Sequence, residues 1–179
     1  MFKFNVVSTG QRVGNLNEEP TLRIYPEMNR FKVNNQLALG LSVKAEDSVT
    51  ILYDSESNCY ALHAAIPKKD KAGKVIMKEK RLSEDQKEAL KAEGEPIPTE
   101  IDYVNACKLG KHLEFASSNA VLQAGLEGSD VIESTVHKVF DGSQLGLDVS
   151  SPVYVFSIDN DETIFGEDNE EEEAEEVEV

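Results

Sequence analysis

Tryptophan is absent from this chain of 179 residues, cysteine occurs only twice, and no long apolar run exists. Each lack excludes something. Two cysteines, Cys59 and Cys107, cannot build a disulfide framework, so a reducing compartment with two free, buried thiols is expected. No stretch approaches the roughly 18 apolar residues that a membrane span needs, so no helical span is expected. The opening residues MFKFNVVSTGQ carry no apolar signal segment, and the expected location is cytoplasmic. His63, His112 and His137 lie far apart and none sits beside a cysteine in metal-ligand spacing. Gly73-Lys74 and Gly110-Lys111 lack the earlier glycine and the following Ser or Thr of a phosphate loop, and no G-x-S-x-G elbow exists. Asp159, Asp161 and Glu170 approach the spacing of a calcium loop, with Ile164 where the turn needs glycine. No cofactor, no metal and no enzymatic activity are expected.

The last fourteen residues, GEDNEEEEAEEVEV, contain no base. Their nine carboxylates are Glu167, Asp168, Glu170, Glu171, Glu172, Glu173, Glu175, Glu176 and Glu178. The whole chain stands at −16, and twelve of its acids follow residue 158, so residues 1–158 hold 22 acids against 18 bases. The acidity belongs to a tail. Such a block repels itself and buries nothing, so residues 159–179 are expected to be disordered. The tail can keep the protein soluble, dock on a basic partner protein, or stand in for nucleic-acid phosphates on a basic groove of the body.

Short apolar-polar alternations predict a mainly β or α+β fold. Strands are expected at Phe2–Val7, Leu22–Tyr25, Phe31–Val33, 48–54, 59–66, Leu113–Phe115, Val131–Phe140 and Val153–Ile158. The runs 48–54 and 59–66 surround a polar SESN turn and predict a hairpin. Asn34 and Asn35 can cap a short helix, QLALG, and Ser117 and Ser118 can cap NAVLQA. Ser83 with Gln86 forms a capping-box pattern before a mostly solvated helix that Gly94 ends. The organisation reads as a first β half-unit at 1–66, a basic insertion with a short helix at 67–100, and a second half-unit of the same domain at 101–158. The segments RFKVNNQLALGL (30–41) and HLEFASSNAVLQAGL (112–126) share a strand, a polar cap, a short apolar helix and a Gly-Leu stop. Two related strand-helix-strand units building one small barrel are therefore expected.

Residues 21–65 carry a strand pair, then Leu39-Gly40-Leu41, Asp47-Ser48-Val49 and Asp54 at a second hairpin turn. That order resembles the swapped-hairpin barrel unit of the AbrB-type DNA-binding proteins. The resemblance implies contacts to DNA from the first hairpin, here Arg23, Arg30 and Lys32, and a barrel built from two units, from two chains as a homodimer or from the two halves of one. The family's proline before the helix is Asn34 here, and its Gly-Asp is Glu46-Asp47. In organisation, a small β body with a basic segment and an acidic tail resembles the single-stranded-DNA-binding proteins of bacteriophages. The basic segment is 67–81, with Lys68, Lys69, Lys71, Lys74, Lys78, Lys80 and Arg81 against two acids. Tyr25, Phe31, Tyr53, Tyr60, Tyr154 and Phe156 are the aromatics open to base stacking or to core packing. The leading expectation is a nucleic-acid-binding accessory protein, for single-stranded DNA in phage or bacterial replication, with a tail that inhibits or recruits. An AbrB-like regulator and an assembly protein docking through its tail are the alternatives.

Overall fold

The computed structural model describes residues 19–147, 149 and 151–159. The expected strand at Phe2–Val7 and the acidic residues from Asp161 to Glu178 lie outside the described residues. The described chain is mainly β, in three sheets with three short helices.

Strands β1 (Thr21–Tyr25) and β2 (Arg30–Val33) make the first hairpin. Asn29 turns it with φ at 52°, a left-handed conformation that Asn tolerates. The register sets Leu22 opposite Val33 and Ile24 opposite Phe31, and all four are buried on one face. Arg23, Arg30 and Lys32 consequently point to the other face, as period two requires. β8 (Glu114–Ala116) extends this sheet beside β2, and β9 (Ile132–Thr135) extends it beside β1. The second sheet runs β10 (Lys138–Phe140), β11 (Val153–Ser157), β4 (Cys59–Ala64), β3 (Ser48–Asp54), β7 (Cys107–Lys108). The predicted hairpin is β3–β4, and Tyr60, Leu62 and Phe156 turn inward from this sheet.

The core is centred on Phe31. Its ring stacks on Phe115 with centroids 5.2 Å apart, and Tyr60 meets it edge-on at 5.4 Å. The Tyr60 hydroxyl donates to the Ala120 carbonyl at 2.6 Å, so its buried oxygen is satisfied. Phe31 and Phe115 are also direct partners in the β2–β8 ladder. The two similar segments thus meet at equivalent positions. After β2 comes α1 (Asn35–Gly40), capped by the Asn34 carbonyl oxygen accepting from Leu37 N at 2.9 Å. After β8 comes α3 (Ser118–Gln123), capped by Ser117 Oγ accepting from Ala120 N at 3.4 Å. The pairings are reciprocal: β1 of the first half binds β9 of the second, and β7 of the second binds β3 of the first.

The expected barrel is not what forms, because none of the three sheets closes. The reason lies in the single strand expected over Val131–Phe140. It breaks at Val136 and His137, whose amides donate to Pro20 O and Val155 O. β9 therefore stays with β1 while β10 crosses to β11, and among the described residues no ladder joins the sheets at that edge.

Between His63 and Leu109 no residue is buried. This stretch is an arm. Its root pairs Pro67 with Tyr103, Lys69 pairs with Val75 across a tight Asp70–Lys74 turn, and β5 (Met77–Glu79) pairs with β6 (Thr99–Ile101). Beyond the ribbon lies α2 (Glu84–Glu93), with the predicted Ser83–Gln86 capping box and a left-handed Gly94 at its end.

Candidate nucleic-acid interface

The first-hairpin bases stand in a row of ion pairs. Across the outer face of the first sheet the register runs Glu114, Lys32, Arg23, Glu133. Arg23 Nε donates to Glu133 Oε2 at 2.7 Å, and its Nη2 pairs with the same oxygen. That bond raises the guanidinium's already high pKa. Arg30 and Lys32 each lie 3.7 Å from one oxygen of Glu114. Arg23, Lys32 and Glu133 line a depression of about 430 Å³ together with Glu19, Thr21, Asn34 and Thr135. Three bases found in the sequence are thus met by acids supplied from the second half. Glu114 and Glu133 escape a sequence reading because strand pairing alone brings them there.

The arm divides the basic run. Lys68 Nζ bonds Asp102 Oδ2 at 2.7 Å, and Lys78 lies 3.2 Å from Asp102 and 3.9 Å from Glu100. The Lys68 ammonium, with Lys78 beside it, holds the Asp102 carboxyl below its ordinary pKa. Lys69 is in the short bridge to Val75. Lys71 and Lys74 sit on the tip turn, where the Asp70 carboxylate accepts from the amides of Ala72 and Lys74. Lys71, Lys74, Lys80 and Arg81 are exposed and have no ion-pair partner among the described residues. The return half of the arm, 82–102, holds seven acids and two bases. The insertion is therefore a dipolar arm rather than a uniformly positive surface.

A different basic group forms where the arm leaves the body. Two depressions, each about 300 Å³, share Lys108. The first is lined by Lys78, Glu100, Ile101 and Tyr103 from the arm and by Glu46, Asp47 and Ser48 from the body. The second is lined by Arg30, Lys111, His112, Glu114 and the edge of Phe115. Lys108 Nζ lies 3.0 Å from Glu46 Oε2. The Lys108 ammonium holds the Glu46 carboxyl below its ordinary pKa, and the fields of Lys111 and Lys80 add to this. The fold thus brings Arg30, Lys78 and Lys80 toward Lys108, Lys111 and His112. The latter three were missed in the sequence. The signal was present: Lys108-Leu109-Gly110-Lys111-His112 is a compact basic turn, standing where the Met28–Asn29 turn stands in the first half.

The aromatics sort clearly. Phe31, Tyr60 and Phe156 are core and cannot stack on a base; Tyr25, Tyr53 and Tyr154 are half-buried. Tyr103, half-buried at the arm root, lines the first depression, where Lys78 and Lys108 stand with Glu46, Asp47 and Glu100. Burial raises the Tyr60 hydroxyl and both thiols above their ordinary pKa values. Cys59 and Cys107 are free. Among the described residues no group of three or more His, Cys, Asp or Glu could hold a metal ion, and no helix is long and apolar enough to cross a membrane.

No family model, curated protein or solved structure matches this chain.

Proposed function

We propose that the protein is a nucleic-acid-binding accessory protein that holds single strands at the root of its arm, with the acidic C-terminal residues competing for the same surface. One observation carries this reading: Arg30, Lys78, Lys108, Lys111 and His112 converge on two adjoining depressions that also contain Tyr103. Phosphates suit the Arg30–Lys111–His112 side, where Glu114 is the single acid in the lining. A base suits the Tyr103 side, where a ring face can stack and the Glu46 and Glu100 carboxylates can accept from exocyclic amino groups. Lysines act as point charges, so backbone binding with little sequence preference follows. The AbrB-like alternative is less favoured, since all three of its bases are paired, Arg23 with Glu133 and both Arg30 and Lys32 with Glu114, whereas the arm-root site also offers Lys111, which has no ion-pair partner among the described residues.

The test is a gel-shift series with single-stranded DNA, duplex DNA and RNA at two salt concentrations. The parent is expected to prefer single strands and to weaken steeply with salt. Lys108→Glu with Lys111→Glu should abolish binding while leaving the circular dichroism spectrum unchanged. Truncation before Glu167 should tighten binding. If the parent retains no strand at low salt, the reading fails, and an assembly protein docking through its acidic tail takes its place.

A further inference from the structure

We propose that the arm is a self-association element, and that two copies of the chain pair arm to arm, the basic strand half of each lying on the acidic helix half of the other. This does not rest on the nucleic-acid reading.

The first observation is that the arm is well formed without a core. No residue between His63 and Leu109 is buried, yet the arm folds into a ribbon and a ten-residue helix. A two-stranded ribbon standing alone in water is marginally stable at best. Val75 at 36% and Met77 at 51%, two residues apart and so on one side of the extended chain, face solvent, and Ile76 at 39% does so on the other. Val75 and Met77 give one side of the ribbon an exposed apolar strip that a second arm can cover.

Charge identifies what covers it. Residues 67–81 hold seven bases and two acids, and residues 82–102 hold two bases and seven acids. The halves carry equal and opposite excess, five of each sign. Part of this is spent within the arm, in the Lys68–Asp102 and Lys78–Glu100 pairs. Lys71, Lys74 and Arg81 on one side, and Asp85, Glu88, Glu93 and Glu95 on the other, have no ion-pair partner among the described residues. A polyanion would satisfy the strand half and be repelled by the helix half. A basic protein would do the reverse. A second arm, related by a two-fold axis, offers each half its complement in both directions and covers Val75 and Met77 with its own apolar strip.

The isologous arrangement gives a decisive experiment on the full chain, with mass read by light scattering after size exclusion. The parent is expected at twice the chain mass, returning toward monomer at high salt. Lys71→Glu with Lys74→Glu, and separately Glu88→Lys with Glu93→Lys, each set like charges against like at both contacts. Each should weaken association by about tenfold or more. Because the arm buries nothing, both variants should keep the body's thermal transition. An equimolar mixture of the two should recover the dimer, and so should the chain carrying all four changes. A parent that stays monomeric across concentrations, variants that dimerise as the parent does, or a mixture that stays monomeric would each overturn the proposal.

Discussion

The body and the arm are built on opposite principles. In the arm, α2 has strong local signals: a complete capping box, two acids in its first turn, a lysine in its last and a left-handed glycine at its end. It buries no residue. In the body, α1 and α3 are six residues each, with no charge placed to complement the helix dipole. Yet they bury Leu37 and Ala38, and Ala120 and Val121, in the same core cluster as Phe31 and Phe115. Local propensity makes an element form, and burial makes it part of the fold. Here the two have been assigned to different regions.

The sharpest way to break this comparison is to remove a large apolar side chain from each region. Phe31→Ala strips the residue that touches Phe115 and Tyr60 at once, and should cost about 3–5 kcal/mol in urea unfolding. Met77→Ala, on the exposed ribbon, should stay within about 0.5 kcal/mol in the monomer. A larger loss at Met77 than at Phe31 would mean that the arm, not the stack, carries the stability.

A second contrast adds atoms instead of removing them. A Cβ on Gly40 would fall on the Tyr154 ring and hydroxyl, which lie directly over that backbone. Gly40→Ala should therefore cost about 1–3 kcal/mol despite the better helix propensity of alanine. Arm position Gly94, with φ at 74° and open space around it, should respond through backbone strain alone and affect α2 only.

The caps give a finer comparison. Asn34 accepts from both Leu37 N and Thr21 N and donates to Glu19 O, so it ties α1 to β1. Asn34→Ala should lower global stability by about 1–2 kcal/mol. Ser83→Ala removes a cap of similar type from α2, and should reduce helical signal and amide protection at 84–93 with no change in the urea midpoint.

The smallest effect is one of pH. Lys68 lowers the Asp102 carboxyl in the folded arm, so this pair contributes above the ordinary carboxylate pKa and is lost as pH falls through the lowered value. Acidification should loosen the ribbon, read as lower amide protection factors at 99–103 relative to the intrinsic exchange rate at each pH, before the body's transition moves. Unchanged protection at these amides under acid would remove the pair from any account of arm stability.

Much of this was legible in the sequence. The mainly β class, the β3–β4 hairpin and the Asn34, Ser83 and Ser117 caps follow from alternation and turn chemistry within a few residues. What escaped is non-local. The break at Val136–His137 appears only when two sheets compete for one strand. The Glu114 and Glu133 partners of the first hairpin, and the Lys108–Lys111–His112 side of the groove, come from residues far along the chain. A count of bases found the lysines of the arm but not the acids folded back beside them.

The placement of β11 has a consequence for how the chain is made. This last described strand sits between β4 and β10, and pairs Ser157 with Cys59 and Tyr154 with Leu62. Until it emerges from the ribosome, β4 has an open edge, and β2 likewise waits for β8. At about 5–20 residues per second the first half stands for several seconds as an unfinished sheet with pairing groups exposed. The first half therefore cannot complete its sheets alone during synthesis, because β2 and β4 gain these partners only once β8 and β11 have emerged.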